Sequence, residues 1–284
     1  IKNSTARYNW EDGIRLAPAS GTPAVCGGNN VVDAVTAHDN YGIGVQFNTC
    51  TATAGTENYV KNSTVYNNGE DGIKAYLSKY TTIESNIARD NGASTARGTS
   101  GIRTEGSATI MANNNIIRYN KVYNQTGLLP DGGGIQLDHW SDYSQVYDNI
   151  VYNNRSYGIV IFDTNNANVY NNTSYGNNTG TGPTITGEIV LWEFAVTVAN
   201  INVKNNIGYA TAAGMHAVQI NPTIADNAGI VFSNNDWYRV SGDWYHNGAG
   251  GSNLATWNAL SYVGTDLNAD PLFQSPTSNL WLLP

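Results

Sequence analysis

The chain has 284 residues, with 14 Lys and Arg against 22 Asp and Glu and a formal net charge of −8. This acidic balance argues against a general nucleic-acid or anionic-membrane partner, because both require clustered Lys and Arg. Membrane insertion is not expected either, because the longest apolar candidate, residues 189–201, is too short to span a bilayer and contains Glu193.

A glycine followed by a hydrophobic residue recurs at intervals of 24 to 33 residues along the chain. The pairs are Gly13-Ile14, Gly42-Ile43, Gly72-Ile73, Gly101-Ile102, Gly134-Ile135 and Gly158-Ile159. A period in this range indicates one supersecondary unit stacked repeatedly, so the pattern predicts a solenoid.

An Asn followed three residues later by Tyr keeps step with the glycine pairs. It occurs at Asn120/Tyr123, Asn149/Tyr152, Asn172/Tyr175, Asn206/Tyr209 and Asn235/Tyr238, with Asn86/Arg89 as a variant. The segments between are short apolar runs ended by turn residues, which favours strands over helices. Because Asn tolerates tight turns and amides can hydrogen-bond between rungs, we predict that Asn86, Asn120, Asn149, Asn172 and Asn206 stack at one internal turn as an asparagine ladder.

In chain order, the pattern predicts eight coils from Ile1 to about Asn221 and a ninth set of strands from Gly229 to Val240. Residues 241–284 lose the repeat and are rich in Trp and Leu. A solenoid end exposes open strand edges and apolar core, so we expect these residues to be an irregular cap of the same domain as coils 1–240. The N-terminal end has no equivalent cap, and we expect it to dock onto preceding residues or onto another copy.

The Asn-Asn-x-x-Tyr-Asn-Asn and Gly-Ile coils from Ile1 to Asn235, together with the tail Asn268–Phe273, resemble the right-handed parallel β-helix proteins of the pectate-lyase-like kind. The resemblance implies an all-β, right-handed parallel β-helix of about nine coils with an irregular C-terminal cap. It is closest in character to the polysaccharide lyases. The same scaffold also carries hydrolases, epimerases, phage adhesins and inert surface proteins, so it does not by itself fix a function.

Cys26 and Cys50 both fall in loops that follow the Gly-Ile strand on neighbouring coils. A disulfide between these loops is geometrically reasonable, and two free thiols are the alternative. Several Asn-x-Ser/Thr triplets permit glycosylation. We expect an extracellular or cell-surface protein.

Outward positions of the Gly-Ile strand carry the functional prediction, because the strand period of two fixes which side chains face solvent. The first outward row is Arg15, Gly44, Lys74, Arg103, Gln136, Val160 and Val190. The second outward row is Ala17, Gln46, Tyr76, Glu105, Asp138, Phe162 and Trp192. The middle coils therefore gather the predicted site, with His139 and Asp163 just past the strand ends. The alternative is a solvated face whose Lys74–Glu105 and Arg103–Asp138 ion pairs have little energetic effect.

One chemistry that fits is β-elimination on a uronate polysaccharide. It needs a cation on the sugar carboxylate, a base for the α-proton and an acid for the leaving oxygen. We assign Lys74 as base, Tyr76 as acid and Arg103 to the carboxylate. The remaining predicted substrate-binding residues are Glu105, Gln136, Asp138, His139, Asp163 and Trp192. Similarity of the Lys and Arg placement to alginate and chondroitin lyases implies help from calcium at the carboxylate, with no organic cofactor.

Three alternatives remain open. A glycoside hydrolase would use a pair among Glu105, Asp138 and Asp163, since two carboxylates must flank the bond. An epimerase is suggested by Asp138-His139. A non-catalytic adhesive or filament-forming β-helix is consistent with the low charge and the stacked Asn and Tyr rows.

Overall fold

The computed structural model describes residues 1–18, 26–93, 99–127, 132–180, 185–212, 214–224, 229–275 and 279–282. Three sheets are visited in rotation, so that each complete coil gives one strand to each sheet, and all pairings within them are parallel except that of the final Gly250–Gly251 strand. The chain is thus a parallel β-helix, as the repeat predicts. None of the helices among these residues is long and apolar enough to cross a membrane.

The three sheets are named here in the order in which the chain meets them. Sheet I contains Thr5–Arg7, Thr36–His38, Thr64–Tyr66, Ile87–Arg89, Lys121–Tyr123, Ile150–Tyr152, Thr173–Tyr175, Ile207–Ala210 and Asp236–Arg239. Sheet II contains Ile14–Leu16, Val45–Asn48, Ile73–Tyr76, Ser100–Glu105, Gly133–Asp138, Ile159–Phe162, Gly187–Trp192, His216–Ile220, Tyr245–Asn247 and Gly250–Gly251. Sheet III contains Val31–Asp33, Asn58–Lys61, Thr81–Glu84, Ile116–Arg118, Gln145–Tyr147, Asn168–Tyr170, Asn202–Lys204 and Val231–Ser233.

The core runs along the axis of the coils and is built from inward-facing aliphatic side chains. In sheet II the row after the glycine is in register across the strands, and its members Ile73, Ile102, Ile135, Ile159 and Ile189 are all fully buried. Burying such a row removes roughly 2 kcal/mol of unfavourable hydration per side chain. Each coil is therefore stabilised by its neighbours above and below.

The register corrects one step of the glycine pattern. Ile14 pairs with Val45, and Val45 pairs with Ile73, so Gly44-Val45 and not Gly42-Ile43 is the equivalent pair on the second coil. The reason is steric, because a Cβ at position 44 would lie 2.2 Å from Val65 of sheet I. The outward rows therefore contain Gln46 beside Lys74 and Asn48 beside Tyr76.

A first amide row lies at the turn between sheets III and I. Its members are Asn86, Asn120, Asn149, Asn172, Asn206 and Asn235, and each Nδ2 donates to the side-chain oxygen of the next rung at 3.0 Å. The last acceptor is Asp266, in the segment after the coils, which also accepts from the indole N–H groups of Trp237 and Trp257. This segment carries the short helix Leu254–Asn258 and a two-stranded sheet of Phe273–Ser275 and Asn279–Leu282.

A second amide row, which the sequence analysis did not identify, lies five residues later, at the turn between sheets I and II. Its side-chain oxygens come from Asn40, Asn68, Asn91, Gln125, Asn154 and Asn177, each accepting the backbone N–H of the rung before it. The row ends at Glu188, which is buried and accepts from the backbone and side chain of Asn177 and from Ser174. Burial raises the pKa of Glu188 from 4.5 to about 7, although the three hydrogen bonds oppose the rise.

Replacement of Asn149 by Ala will lower the free energy of unfolding by about 1–3 kcal/mol, because the buried Asn120 amide loses its acceptor. Urea unfolding will measure the change. Asn202→Ala, on the outer face of sheet III, is the control and will change stability by less than about 0.5 kcal/mol. Equal effects of the two substitutions would contradict a special role for the row.

Glu188 will make stability depend on pH. Because its pKa is higher in the folded than in the unfolded state, its stabilising contribution is complete below about pH 4.5 and is lost as the pH rises to about 7. The unfolding free energy of the wild type, relative to that of Glu188→Gln, will therefore decrease by roughly 3 kcal/mol between about pH 4 and pH 8. Gln is the matched replacement, since Gln125 already occupies a rung of this row. A constant difference across this range would show that Glu188 does not titrate as inferred.

Candidate active site

An open groove of about 770 Å³ lies on the outer face of sheet II across the first four coils. Its floor is formed by outward residues of the strands, namely Arg15, Gln46, Asn48, Lys74, Tyr76, Arg103 and Glu105. Its wall on the side of sheet I is formed by turn residues, including Trp10, Glu11, Asp12, Tyr41, Glu70 and Asp71. Four of the predicted site residues, Lys74, Tyr76, Arg103 and Glu105, therefore line one groove.

The groove floor carries a continuous charge network. Lys74 Nζ lies 2.6 Å from Glu105 Oε2 and 3.7 Å from Asp71 Oδ2. Arg103 Nε lies 3.2 Å from the same Glu105 oxygen, and its terminal nitrogen donates to Asp138 Oδ2. Both diagonal pairs named from the sequence are present. They are not the exposed pairs of the alternative interpretation, since only 14% of each cation's side chain is accessible.

Burial and neighbouring charge act oppositely on the two carboxyl groups of this network. Burial acts to raise the pKa of Glu105, but Arg103 and Lys74 outweigh it and hold the pKa below its usual value. Burial raises the pKa of Asp138 despite the opposing effect of Arg103. The two groups occupy paired positions on adjacent strands, and the balance of burial and neighbouring cations lowers the pKa of Glu105 and raises that of Asp138.

Gln136, Asp138 and Asp163 require a correction, because they are buried and cannot contact a substrate directly as the sequence analysis predicts. Gln136 accepts from the hydroxyl groups of Ser100 and Tyr157. Asp138 lies against Arg103, and Asp163 accepts the backbone N–H groups of residues 194 and 195. Gln136 and Asp138 occupy outward strand positions and Asp163 lies just past the end of its strand, as predicted, but all three side chains are buried.

His139 and Trp192 lie further along the face. The His139 side chain is 30% accessible, and its Nδ1 is 2.9 Å from Asp163 Oδ2. Its ring packs edge-on against Phe162, whose partner on the next strand is Trp192. Neither His139 nor Trp192 lines the groove described above.

The same face is closed on the later coils. Val160 and Val190 belong to the first outward row but are fully buried in a second apolar cluster with Tyr157 and Ile185, and Trp192 packs against its edge. The outer face of sheet II is therefore open at the N-terminal coils and covered at the following ones.

Sequence reasoning missed the groove wall. Trp10 and Tyr41 carry no repeat signal that distinguishes them, and Arg15 was placed on the outward row but not in the site. Asp12 and Asp71 precede glycines, and each accepts a backbone N–H from the next coil, Ile43 and Ser100 respectively. Stacking of turns, which is not visible in a linear pattern, brings these residues to the groove.

A disulfide joins Cys26 to Cys50, with Cα atoms 4.2 Å apart. Cys50 is buried and Cys26 packs against the axial core. The bond links the loops that follow sheet II on the first and second coils, on the side of the groove opposite the aromatic wall.

The residues at the groove do not fit a calcium site. Asp12 and Asp71 oxygens accept backbone N–H groups, while Glu105 and Asp138 are paired with cations. Within the described ranges, no group of three or more His, Cys, Asp and Glu side chains is arranged to hold a metal ion.

Comparisons with known proteins agree with this architecture. A family model described as the right-handed beta helix region matches residues 1–188. The chain belongs to this right-handed β-helix family, which confirms the fold and handedness expected from the repeat. No match was found among curated protein sequences.

Three solved structures illustrate the range of similar proteins. The mannuronan C-5 epimerase AlgE6 A-module of Azotobacter vinelandii has 18% identity and a TM-score of 0.55, over 92% of this chain and 69% of its own. An alginate lyase of Paenibacillus sp. FPU-7 has 16% identity and a TM-score of 0.54, over 93% and 99%. The surface adhesin PfbA of Streptococcus pneumoniae has 9% identity and a TM-score of 0.54, over 84% and 66%. These likenesses establish a shared fold.

Arg103→Met will lower the free energy of unfolding by about 3–5 kcal/mol, because it leaves the buried Asp138 carboxylate without its cation. Arg89→Met, which breaks a more exposed pair with Asp90, is the control and will cost less than about 1 kcal/mol. Thermal and urea unfolding at neutral pH will compare them. Equal stability of Arg103→Met and wild type would mean that the network is only a surface feature.

Proposed function

We propose that this protein binds a polysaccharide across the outer face of sheet II and cleaves it by β-elimination at a uronate unit. The observation that carries the proposal is the juxtaposition of Lys74, Tyr76, Arg103 and Glu105 on adjacent strands at the floor of an open groove. In a chain with only 13% charged residues, this concentration of ionic groups is local. An open groove accommodates a polymer that extends beyond both ends.

β-Elimination first requires that the substrate carboxylate be neutralised, which makes the neighbouring C–H acidic. Arg103 and Lys74 are the cations nearest the centre of the groove, and Arg15 lies at its N-terminal end. A guanidinium presents parallel N–H donors that match a carboxylate. We assign Arg103, supported by Lys74, to the substrate carboxylate.

Proton transfer then needs one acceptor and one donor on the groove floor. Lys74 Nζ lies 5.1 Å from the ring centre of Tyr76, so both reach the same part of a bound chain. From the sequence, Lys74 is predicted to be the base and Tyr76 the acid. Lys74 is ion-paired with two carboxylates, which favours its charged ammonium form. We therefore propose the reverse roles, with Lys74 as the acid and Tyr76 as the base.

Tyr76, acting as the phenolate, takes the C5 proton and becomes a phenol, the released electron pair forms the C4=C5 double bond, and the C4–O bond breaks. Lys74 protonates the oxygen that leaves, which becomes the new chain end. After the product leaves, the proton passes from Tyr76 to the Lys74 amine, which restores both groups. One unsaturated uronate and one reducing end result from each cleavage.

Similar folds support the substrate class and leave the reaction to experiment. Two of the compared structures are named as an alginate lyase and a mannuronan epimerase, which both act on uronate polymers. The adhesin supports the non-catalytic alternative. The disulfide and the polysaccharide substrate are consistent with an extracellular or cell-surface location.

Hydrolysis is the second candidate, and one observation favours it. Glu105 and Asp138 are paired on adjacent strands, and their pKa values are displaced in opposite directions. Such a separation is how one carboxyl group serves as acid while another stays ionised. Against it, Asp138 is covered by Arg103 and nearly inaccessible.

Incubation with alginate, pectate, chondroitin and a neutral glycan will distinguish these reactions. A lyase will give ultraviolet absorbance from the conjugated double bond together with new reducing ends, whereas a hydrolase will give reducing ends alone. Parallel reactions with a calcium chelator will test the calcium requirement. Neither product from any glycan would exclude both cleavage reactions and favour an adhesive role or an epimerase, which inverts a sugar carbon without breaking the chain.

Tyr76→Phe will lower turnover by about 100-fold or more, because it removes one positioned proton carrier. Tyr123→Phe, on sheet I, is the matched control and will retain wild-type turnover. Initial rates of double-bond formation on the best substrate will measure both. Full activity of Tyr76→Phe would remove Tyr76 from the reaction.

A further inference from the structure

We propose that Trp10, Tyr41 and Arg15 form a sugar-binding subsite at the N-terminal end of the groove, which takes an acidic pyranose unit of the polysaccharide. This deepens the proposed function, since it rests on a polysaccharide substrate and names where a neighbouring unit binds.

The Trp10 and Tyr41 rings form a parallel pair that projects into solvent. Their centroids are 5.3 Å apart with an angle of 9° between the planes, and the two residues are 83% and 61% exposed. Burying aromatic surface is favourable, so a stacked pair left in water is an unusual use of two large side chains. Exposed apolar surface of this kind marks a binding region.

Other stacked aromatic pairs on the coils provide a comparison. Tyr123 stacks on Tyr152 at 4.9 Å and Tyr147 on Tyr170 at 4.7 Å, with all four at most partly exposed. Those rings lie on the outer faces of sheets I and III, where rung-to-rung stacking is a sufficient structural role. The Trp10–Tyr41 pair instead stands on turns that form the wall of the groove.

The turn position occupied by Trp10 and Tyr41 on the first two coils is no longer aromatic on the third. Trp10 and Tyr41 follow Asn9 and Asn40, and Asn9 donates to the Asn40 side chain at the start of the second amide row. The equivalent position on the third coil is Gly69. A Cβ at Gly69 would lie 2.0 Å from the Tyr41 carbonyl oxygen, so only glycine fits there. The third coil therefore has no side chain at this position to cover Tyr41, and the wall is recessed beside it.

Arg15 supplies the charge that selects an acidic sugar. It is exposed, lines the same groove and is two strands from Lys74 in the first outward row, a distance of about 10 Å. A pyranose ring packs its C–H face on an aromatic surface, while a guanidinium pairs with its carboxylate. A short oligosaccharide can therefore contact this subsite and the groove centre together.

Binding of three tetrasaccharides, of mannuronate, of galacturonate and of neutral mannose, will be measured by calorimetry with Trp10→Ala, Tyr41→Ala and Arg15→Gln. We expect Trp10→Ala and Tyr41→Ala to weaken uronate binding by about 10-fold, with Trp10→Phe close to wild type. Arg15→Gln will weaken uronate binding and reduce its salt dependence without affecting the neutral sugar. Tyr119→Ala, which removes an exposed aromatic ring outside the groove, is the control and will bind as wild type.

Unchanged uronate affinity in Trp10→Ala, or an equal loss in Tyr119→Ala, would overturn the subsite. So would a change of oligomeric state in Trp10→Ala, because the pair would then be a contact between copies. Equal binding of neutral and acidic tetrasaccharides would overturn the acidic selectivity assigned to Arg15. Circular dichroism melting will establish that each variant is folded.

The subsite and the lyase reaction can fail separately. If wild type forms no unsaturated product but binds uronate through Trp10, the reaction is wrong and the subsite stands. If wild type cleaves and Trp10→Ala keeps both KM and kcat, the subsite is wrong and the reaction stands. An increase in KM with kcat retained is the expected result for a binding contact remote from the reacting atoms.

Discussion

In-register parallel stacking is the constraint on which the rest of this molecule depends. Strands about 4.8 Å apart place equivalent residues directly above one another, so a side chain that repeats must be able to contact its own kind. Aliphatic residues satisfy this inside the helix by packing. Asn satisfies it at the internal turns because an amide both donates and accepts. Each rung from Asn86 to Asn235 donates to the side chain of the next rung and also to a backbone carbonyl oxygen.

The same constraint makes the ends of the rows special. An amide row cannot continue past the last coil. The last amide N–H therefore needs an acceptor that has no N–H group of its own to satisfy. Asp266 fulfils this role for the first row and gathers two buried indole N–H groups. Glu188 fulfils it for the second row inside the stack, where it accepts from Asn177 and Ser174.

On the outer face of sheet II, stacking of the strands also brings the residues of the candidate site together. Like charges directly above one another repel, so Lys74 and Arg103 on adjacent strands require acids nearby. Glu105 lies on the strand next to that of Lys74, and Asp138 lies on the strand next to that of Arg103. Each acid pairs with that cation and leaves it partly covered at the groove floor. The resulting groove has Lys74 and Arg103 on its floor and both acidic and aromatic residues on its wall, with the Trp10–Tyr41 pair at its N-terminal end.

The sequence by itself determined the β-helix, the axial core and the outward placement of Lys74, Tyr76, Arg103 and Glu105, because these follow from a repeat and a strand period of two. It did not determine which outward residues stay accessible. Gln136 and Asp138 share that outward placement but are buried, and Asp138 is paired with Arg103. The linear pattern favours Gly42-Ile43 as the pair of the second coil because it directly precedes Gly44-Val45, which the register shows to be the equivalent pair. Only the tertiary structure decided that Trp10, Tyr41 and Arg15 join the groove, since contacts between turns of different coils depend on the exact stagger of the stack, and a linear pattern carries no information about it.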